Sequence, residues 1–284
     1  MCRAQTPCEA PWPKQLFLTM LMVVGIALFW TALILVVMPY MTLWYVLALL
    51  TKRYDVVDSA WGLGFILIAW ISLLLRDNFG VTQVISAALV SLWGMRLFIH
   101  IAKRNWRKST DDSRYEALRT KWGQGANRKA YTNIFLLQGA LLLAVSAPVI
   151  AIAFSKQEPN VISCLGWAVW LFGTAFETVA DRQLATFLQI RPKGSHQIID
   201  HGLWHYSRHP NYFGEITAWW GAAVVACSVH GWLGVLGAAT ITLLITKVSG
   251  IPLLEKRYDG NPAYEAYRKR TSVLIPLPNT QKPN

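Results

Sequence analysis

Long apolar runs alternate with short polar breaks along the chain, at the length of membrane spans rather than of strands or half-buried surface helices. The first run, Leu16 to Leu50, covers 35 residues. That is too long for one simple span and short for two, and Pro39 inside it is placed to kink a helix or to start a turn. After the polar stretch Thr51-Lys-Arg-Tyr-Asp55, further runs follow at Trp61 to Leu75, Val81 to Ile101 and Tyr131 to Phe154. A helix beginning at Val161 stays apolar to Phe176 and then acquires Glu177, Asp181 and Arg182. Tyr212 to Ser228 and Trp232 to Ile251 complete the series, joined by a tight turn at His230-Gly231. The pattern predicts an all-α polytopic membrane bundle of about seven transmembrane helices, or eight if the first run is a hairpin. Residues 1–15 are expected to form an N-terminal polar segment, 16–277 a single membrane-embedded domain and 278–284 a tail.

Composition agrees. Hydrophobic residues make up 54% and charged residues 15%, against about 25% charged in soluble domains, and mean hydropathy is +0.33. The net charge of +12 would suggest nucleic acid in a soluble protein. Here its placement excludes that partner. The loops at 51–59, 102–130, 182–211 and 247–284 hold two, nine, four and seven Lys and Arg, 22 of the 27 in the chain. Such asymmetry sets these loops in the cytoplasm, in a bacterial inner membrane or the endoplasmic reticulum, with lipids as partners. Lys14 before the first apolar run imitates a signal sequence, but no small-residue cleavage site follows. Cys2, Cys8, Cys164 and Cys227 have neither metal-ligand nor disulfide spacing and are read as structural, so no metal site is expected. Trp61, Trp219, Trp220 and Trp232 fall near span ends and are read as an interfacial belt.

Four polar constellations carry the candidate chemistry. The densest is Gly202-Leu-Trp-His-Tyr-Ser-Arg-His-Pro-Asn-Tyr-Phe-Gly-Glu215, which supplies Tyr206, Arg208, His209, Asn211, Tyr212 and Glu215. A loop explains its bases but not Glu215, which enters the span one turn after Asn211, and an ionisable group at membrane depth is a functional candidate. Pro210 suits a first helical turn, whose free N–H groups beside Arg208 and His209 would hold a phosphate. Second, Glu177 and Asp181 share a helical face and repel unless a ribose, an amide or an arginine lies between them; an intramembrane ion-pair network is the alternative. Third, Leu254-Glu-Lys-Arg-Tyr258 with Tyr264, Tyr267 and Arg268-Lys-Arg270 reads equally as a basic segment lying on anionic lipid. Fourth, Asp58 stands just before a short span, as a functional acid or as a helix N-cap. Arg96 and His100 are four apart at the end of their span, and snorkelling accounts for Arg96.

These residues resemble a known family. Arg208-His-Pro-Asn-Tyr-Phe-Gly-Glu215 after Gly202-Leu-Trp204 is similar to the C-terminal signature of the steroid 5α-reductase-like family, and more narrowly of its DUF1295 branch. The resemblance runs over about residues 45 to 277, through Asp55-Val-Val-Asp-Ser-Ala-Trp-Gly-Leu-Gly-Phe65, Leu92-Trp-Gly-Met-Arg-Leu97, Asp111-Asp-Ser-Arg-Tyr115, Phe176-Glu-Thr-Val-Ala-Asp-Arg-Gln-Leu184 and Tyr264-Glu-Ala-Tyr-Arg-Lys-Arg-Thr271. It implies a seven-helix reductase that takes NADPH from the cytosol and reduces an activated carbon–carbon double bond of a hydrophobic, steroid-like or other lipid substrate. The family's cofactor-holding acid and asparagine fall on Asp181 and Asn211, with Arg208 and Glu215 near them and Arg257 and Tyr258 matching its C-terminal contacts. Glu177, Arg191, Tyr206, His209 and Tyr212 complete the candidate cofactor set. The carbonyl-activating glutamate falls near Asp58, the candidate catalytic acid, whereas the partnering tyrosine falls near Trp93, a departure that bears on a steroid enone as substrate. No GxGxxG motif is present, so a Rossmann domain is not the binder. The Arg-His-Pro-x-Tyr-x-Gly pattern also resembles S-adenosylmethionine-dependent isoprenylcysteine and phospholipid methyltransferases. Their paired Glu-Glu is here Leu254-Glu255. A non-enzymatic membrane protein is the third alternative.

Overall fold

In the computed structural model, which describes residues 12–106, 110–192, 195 and 197–279, the chain is all-helical among the described residues. Cys2 and Cys8, and residues 1–11 and 280–284 of the two terminal segments, lie outside them. The first apolar run is one helix, α1 (Trp12–Thr51), which passes through Pro39 without breaking; the hairpin alternative does not occur. At 1.5 Å per residue its 40 residues reach about 60 Å, twice a hydrocarbon core of about 30 Å. Next come α2 (Val57–Arg76), α3 (Val81–Trp106), α4 (Ser113–Trp122) and α5 (Ala126–Ala130). A π-helical turn at Tyr131–Leu136 leads into α6 (Leu137–Val145) and α7 (Ala147–Phe154). This run bends by 49° at Ser146, where Pro148 enters the first turn of α7 and has no N–H to continue the ladder. The remaining helices are α8 (Val161–Ile190), α9 (Pro210–Ser228), α10 (Gly234–Leu243), α11 (Ile251–Lys256) and α12 (Pro262–Arg270).

Among the described residues, five segments are long and apolar enough to cross a bilayer: Val23–Thr51, Tyr54–Arg76, Val81–Asn105, Val161–Ile190 and Gly234–Lys256. The bent pair Ser113–Val145 and Ala147–Phe154 makes six. The chain is an integral multi-pass membrane protein, and the count is five or six where the sequence suggested about seven. The difference is α9, whose 19 residues include Asn211, Glu215 and two tryptophans and dilute its apolar content.

Glycine seams set the helices close enough to assemble a site. On α8 and α9, Gly166 faces Gly221 and Gly173 faces Gly214. A Cβ on Gly173 would stand 2.5 Å from Ala218 N and 2.6 Å from Gly214 O; one on Gly214 would stand 2.5 Å from Glu177 N. Only glycine lets two backbones approach this closely, the small-residue packing by which membrane helices associate without a hydrophobic force between them. Gly62 of α2 and Gly94 of α3 form a second such contact. Asn160 begins α8 with a reciprocal cap, its side chain accepting from Ser163 N at 3.0 Å while Ser163 Oγ accepts from Asn160 N at 2.8 Å.

Between the seams lies a knot of large aromatics. Trp93, Trp170 and Trp219 meet edge to face, with Trp93 and Trp219 at 5.6 Å and 88°, and Phe65 packs on Trp219 at 4.6 Å. Trp219 is fully buried, which corrects its reading as part of an interfacial belt. It shares the inward face of α9 with Ala218 and Ala222, whereas Trp220 and Trp232 are exposed, as a belt requires.

Candidate functional site

The helix ends on the side of the basic loops converge on two polar groups. The first grows from the α8–α9 seam. One turn beyond Gly173, Glu177 is buried, its Oε2 accepting from Trp93 Nε1 at 2.8 Å. Arg96 of α3 inserts between the two acids of α8: it pairs with Glu177 and donates from Nη1 to Asp181 Oδ2 at 2.9 Å. Arg96 is therefore an inward ion-pair partner rather than a snorkelling residue, since two carboxylates on one face of a membrane helix leave it a stronger attraction than the lipid headgroups do. The cation anticipated between Glu177 and Asp181 is this arginine. His100, one turn further along α3, has Nδ1 at 4.0 Å from Asp181.

From α9, Asn211 Nδ2 donates to Asp181 Oδ1 at 3.3 Å. Glu215 stands one turn deeper, within electrostatic reach of Glu177, Arg96 and Asp181. Among the described residues no hydrogen bond or ion pair reaches Glu215. Three carboxylates thus face one guanidinium and one imidazole. Among the described residues Arg96 Nε and Trp219 Nε1 are buried donors without an acceptor, the kind of orphan that signals a missing group.

The second group surrounds Asp58. This residue does not cap α2: the N-cap is Val56, which makes no side-chain cap. Asp58 lies in the first turn and turns toward α4, where Tyr115 Oη donates to Oδ1 at 2.7 Å and Arg114 Nη2 to Oδ2 at 3.1 Å. Arg104 approaches Oδ2 at 3.6 Å. Gln138 Nε2 donates to Tyr115 Oη at 3.4 Å and its Oε1 accepts from Trp61 Nε1 at 2.7 Å, so the hydroxyl of the buried Tyr115 is held between Asp58 and Gln138. The loop before α4 is tied down by Asp111, whose carboxylate accepts from the Tyr54, Asp55 and Asp112 backbone N–H groups at 2.8, 2.9 and 3.0 Å. Asp112 caps α4, with Oδ1 accepting from Arg114 N at 3.1 Å and Arg114 Nε at 3.0 Å, and from Arg257 Nη2 at 3.2 Å. Burial raises the Asp112 carboxyl, but the Arg114 hydrogen bonds and the Arg114 and Arg257 charges outweigh it and bring it down to about 2.

Tyr212 stands between the two groups. Its ring stacks on His209 at 5.7 Å and 17°, and its hydroxyl is within electrostatic reach of Glu215 and Asp181 as well as Arg114 and Arg104. Beyond the helix ends, Arg191, Arg257, Tyr258 and Asp259 line an open cleft of about 280 Å³ with Ser195, Gln197 and Asn261. Tyr258 stacks on Tyr264 at 4.5 Å.

Other candidates go elsewhere. Arg208 and His209 are buried and turn to Glu255, Arg208 Nε donating to Oε1 at 2.9 Å and His209 Nε2 standing 3.2 Å from it. Arg208 Nη1 also donates to the Thr271 and Arg268 carbonyls at 2.8 and 3.0 Å. Their donors thus hold the C-terminal segment rather than stand free beside the α9 N-terminus. Tyr206 is exposed; its carbonyl accepts from Leu277 N at 3.0 Å. The segment after α12 lies along this loop: Ser272 bridges Ser207, Arg208 N donates to Ser272 O at 2.8 Å, and Ser207 Oγ to Leu274 O at 2.7 Å. Sequence reasoning missed Tyr115, Arg114, Arg104 and Asp112 as chemical groups. The Asp111-Asp-Ser-Arg-Tyr115 stretch was the available signal, an acid pair followed closely by an arginine and a tyrosine.

Over 112 residues the chain is 30% identical to 3-oxo-5-alpha-steroid 4-dehydrogenase 1 of Bos taurus and 29% identical to that of Rattus norvegicus, 39% of this chain and 40% of either relative. An uncharacterised protein of Schizosaccharomyces pombe is 21% identical over 223 residues, covering 68% of this chain and 63% of that protein. The chain thus matches less than two thirds of the length of each of these relatives. The family described as protein of unknown function (DUF1295) matches residues 44–271, and it is to this family that the chain belongs.

Proposed function

We propose that the protein is a membrane oxidoreductase that takes NADPH from the cytoplasmic face and reduces an activated carbon–carbon double bond of an apolar substrate. The observation that carries the reading is the meeting of Asp181, Asn211 and Glu215 across a glycine seam, beside the buried guanidinium of Arg96. The similarity to two 3-oxo-5-alpha-steroid 4-dehydrogenases supports the reaction class. The site residues fit the cofactor at both ends. Asn211, Asp181 and Glu215 offer acceptors and an amide to a carboxamide or a ribose, and Arg96 Nε and Trp219 Nε1 are donors in need of an acceptor. Arg191, Arg257 and Tyr258 offer cations and a ring face to a phosphorylated adenosine. Arg208 and His209 are assigned to bracing through Glu255 instead of to direct contact.

Bound NADPH would supply a hydride; the chain's own residues do the rest. As hydride reaches the β-carbon of a conjugated system, negative charge gathers on the distal carbonyl oxygen, and a proton source there lowers the barrier. The Asp58–Tyr115 pair is that source. With two arginines and a phenol directed at it, Asp58 is better suited to orient Tyr115 than to act alone as a protonated acid. The tryptophan knot closes the floor and keeps water from the acids of α8 and α9.

Titration of the purified protein in detergent tests the proposal through its tryptophans. NADPH should quench their fluorescence and S-adenosylmethionine should not; the reverse result moves the protein to the methyltransferases. Asn211→Ala and Asp181→Ala should each weaken NADPH more than tenfold, and unchanged affinity in both removes them from the site.

A further inference from the structure

The cleft at Arg257 and the acid centre at Asp58 are joined by a single oxygen. Asp112 Oδ1 receives Arg257 Nη2 from the cleft and Arg114 Nε from the acid centre, at 3.2 and 3.0 Å. Arg114 uses its other end, Nη2, to reach Asp58 Oδ2 at 3.1 Å. The relay Arg257–Asp112–Arg114–Asp58–Tyr115 draws on three separate stretches of chain. Its guanidinium groups are partly open, Arg257 at 45% exposure and Arg114 at 35%, so they can change partners without unfolding a helix. Asp112 and Asp58 are 10% and 17% exposed and stay where α4 and α2 put them.

We propose that Asp112 is a positioning residue that couples the two places. An anion seated in the cleft competes with Asp112 for Arg257, and Asp112 then holds Arg114 more strongly and draws it from Asp58. The inference rests on the reading of the cleft as the phosphate end of a dinucleotide site, and it adds a link from occupancy there to the Asp58–Tyr115 pair. The coupling is reciprocal, as any linkage between two sites must be. Loss of the Asp58 charge leaves Arg114 to Asp112, loosens Arg257 and strengthens the cleft's hold on an anion.

The test uses adenosine 2′,5′-bisphosphate as the probe and calorimetry on the full chain in detergent, so it reads binding and needs no turnover. Partly exposed ion pairs of this kind are expected to shift affinity by about two- to fivefold. Asp112→Asn should bind the bisphosphate about three- to fivefold more tightly than wild type, a gain that a merely structural role for Asp112 does not produce. Asp58→Asn should tighten binding about twofold when Asp112 is present and not at all in the Asp112→Asn background. Arg114→Gln, which keeps Asp112 in place and lets it hold Arg257 more strongly, should weaken binding about twofold and covers the case in which Asp112→Asn fails to fold. Additive effects of the Asp58 and Asp112 substitutions, or weaker binding in Asp112→Asn, overturn the coupling while leaving the cofactor reading intact. A wild-type protein that ignores the bisphosphate overturns both.

Discussion

Replacing Gly173 by alanine puts the assembly of the site under direct strain. The added methyl would sit 2.5 Å from Ala218 N, 2.6 Å from Gly214 O and 3.0 Å from Ala218 Cα. All three are backbone atoms of the facing helix, so no side chain can rotate away. Carbon–oxygen contacts relax to about 3.5 Å, so α8 and α9 must separate by nearly 1 Å at this level. Overpacking of this kind costs about 1–3 kcal/mol, while the better helix propensity of alanine returns about 1 kcal/mol. A net loss of about 1–2 kcal/mol is expected. The Asn211–Asp181 hydrogen bond, already 3.3 Å long, lies two turns along the same seam and would open, so NADPH affinity should fall by tenfold or more. Gly25→Ala is the control, because a Cβ there meets nothing within 4 Å, and it should leave stability equal or slightly higher. Melting in detergent followed by fluorescence titration reads both quantities. If Gly173→Ala melts and binds as Gly25→Ala does, the seam does not hold the site and the reasoning from packing to function is wrong.

Arg96→Gln should be among the most damaging substitutions in the protein. It leaves Glu177 and Asp181 buried without a cation, and breaking such a pair from one side costs about 3–5 kcal/mol; a fall in melting temperature no larger than that of a surface substitution would contradict the ion-pair assignment. Acid should expose Asp112. Its carboxyl is held at about 2, below the ordinary 3.8, so its contribution is complete above about pH 4 and is lost as pH falls through 2. Between those values wild type should lose melting temperature faster than Asp112→Asn, and parallel curves would show that the Arg114 and Arg257 contacts contribute nothing. Tyr115→Phe should keep NADPH binding within about twofold and lower turnover of an enone substrate by about 10²-fold or more; an unchanged rate would leave Tyr115 as a strut between Asp58 and Gln138.

Much of the fold could be read from the chain because a membrane helix must satisfy its own backbone and therefore announces itself as an uninterrupted apolar run. The starts of α3 and α8 follow directly from that rule, and so do the acids of α8 and α9, since charges in such runs are costly. What the rule cannot supply is partnership. Arg96 looks the same in sequence whether it reaches for lipid headgroups or for Glu177 and Asp181, more than eighty residues away. The Asp58 environment was hidden for a related reason. Tyr115 and Arg114 sit in a loop so rich in charge that no single residue stands out, and only the folding of α4 back onto α2 gives them meaning. Trp219 and Trp220 are neighbours with opposite fates, decided by which side of α9 carries the small residues that meet α8. Sequence position near a span end does not distinguish them.

The clasp formed by residues 271–277 over the loop at 206–208 has a bearing on how the protein is made. Arg208 and Ser207 find their acceptors in residues translated some sixty positions after them. The helices long and apolar enough to span the bilayer therefore all precede, in the chain, the residues that fasten the loop before Asn211, so the bundle can be inserted before this clasp closes.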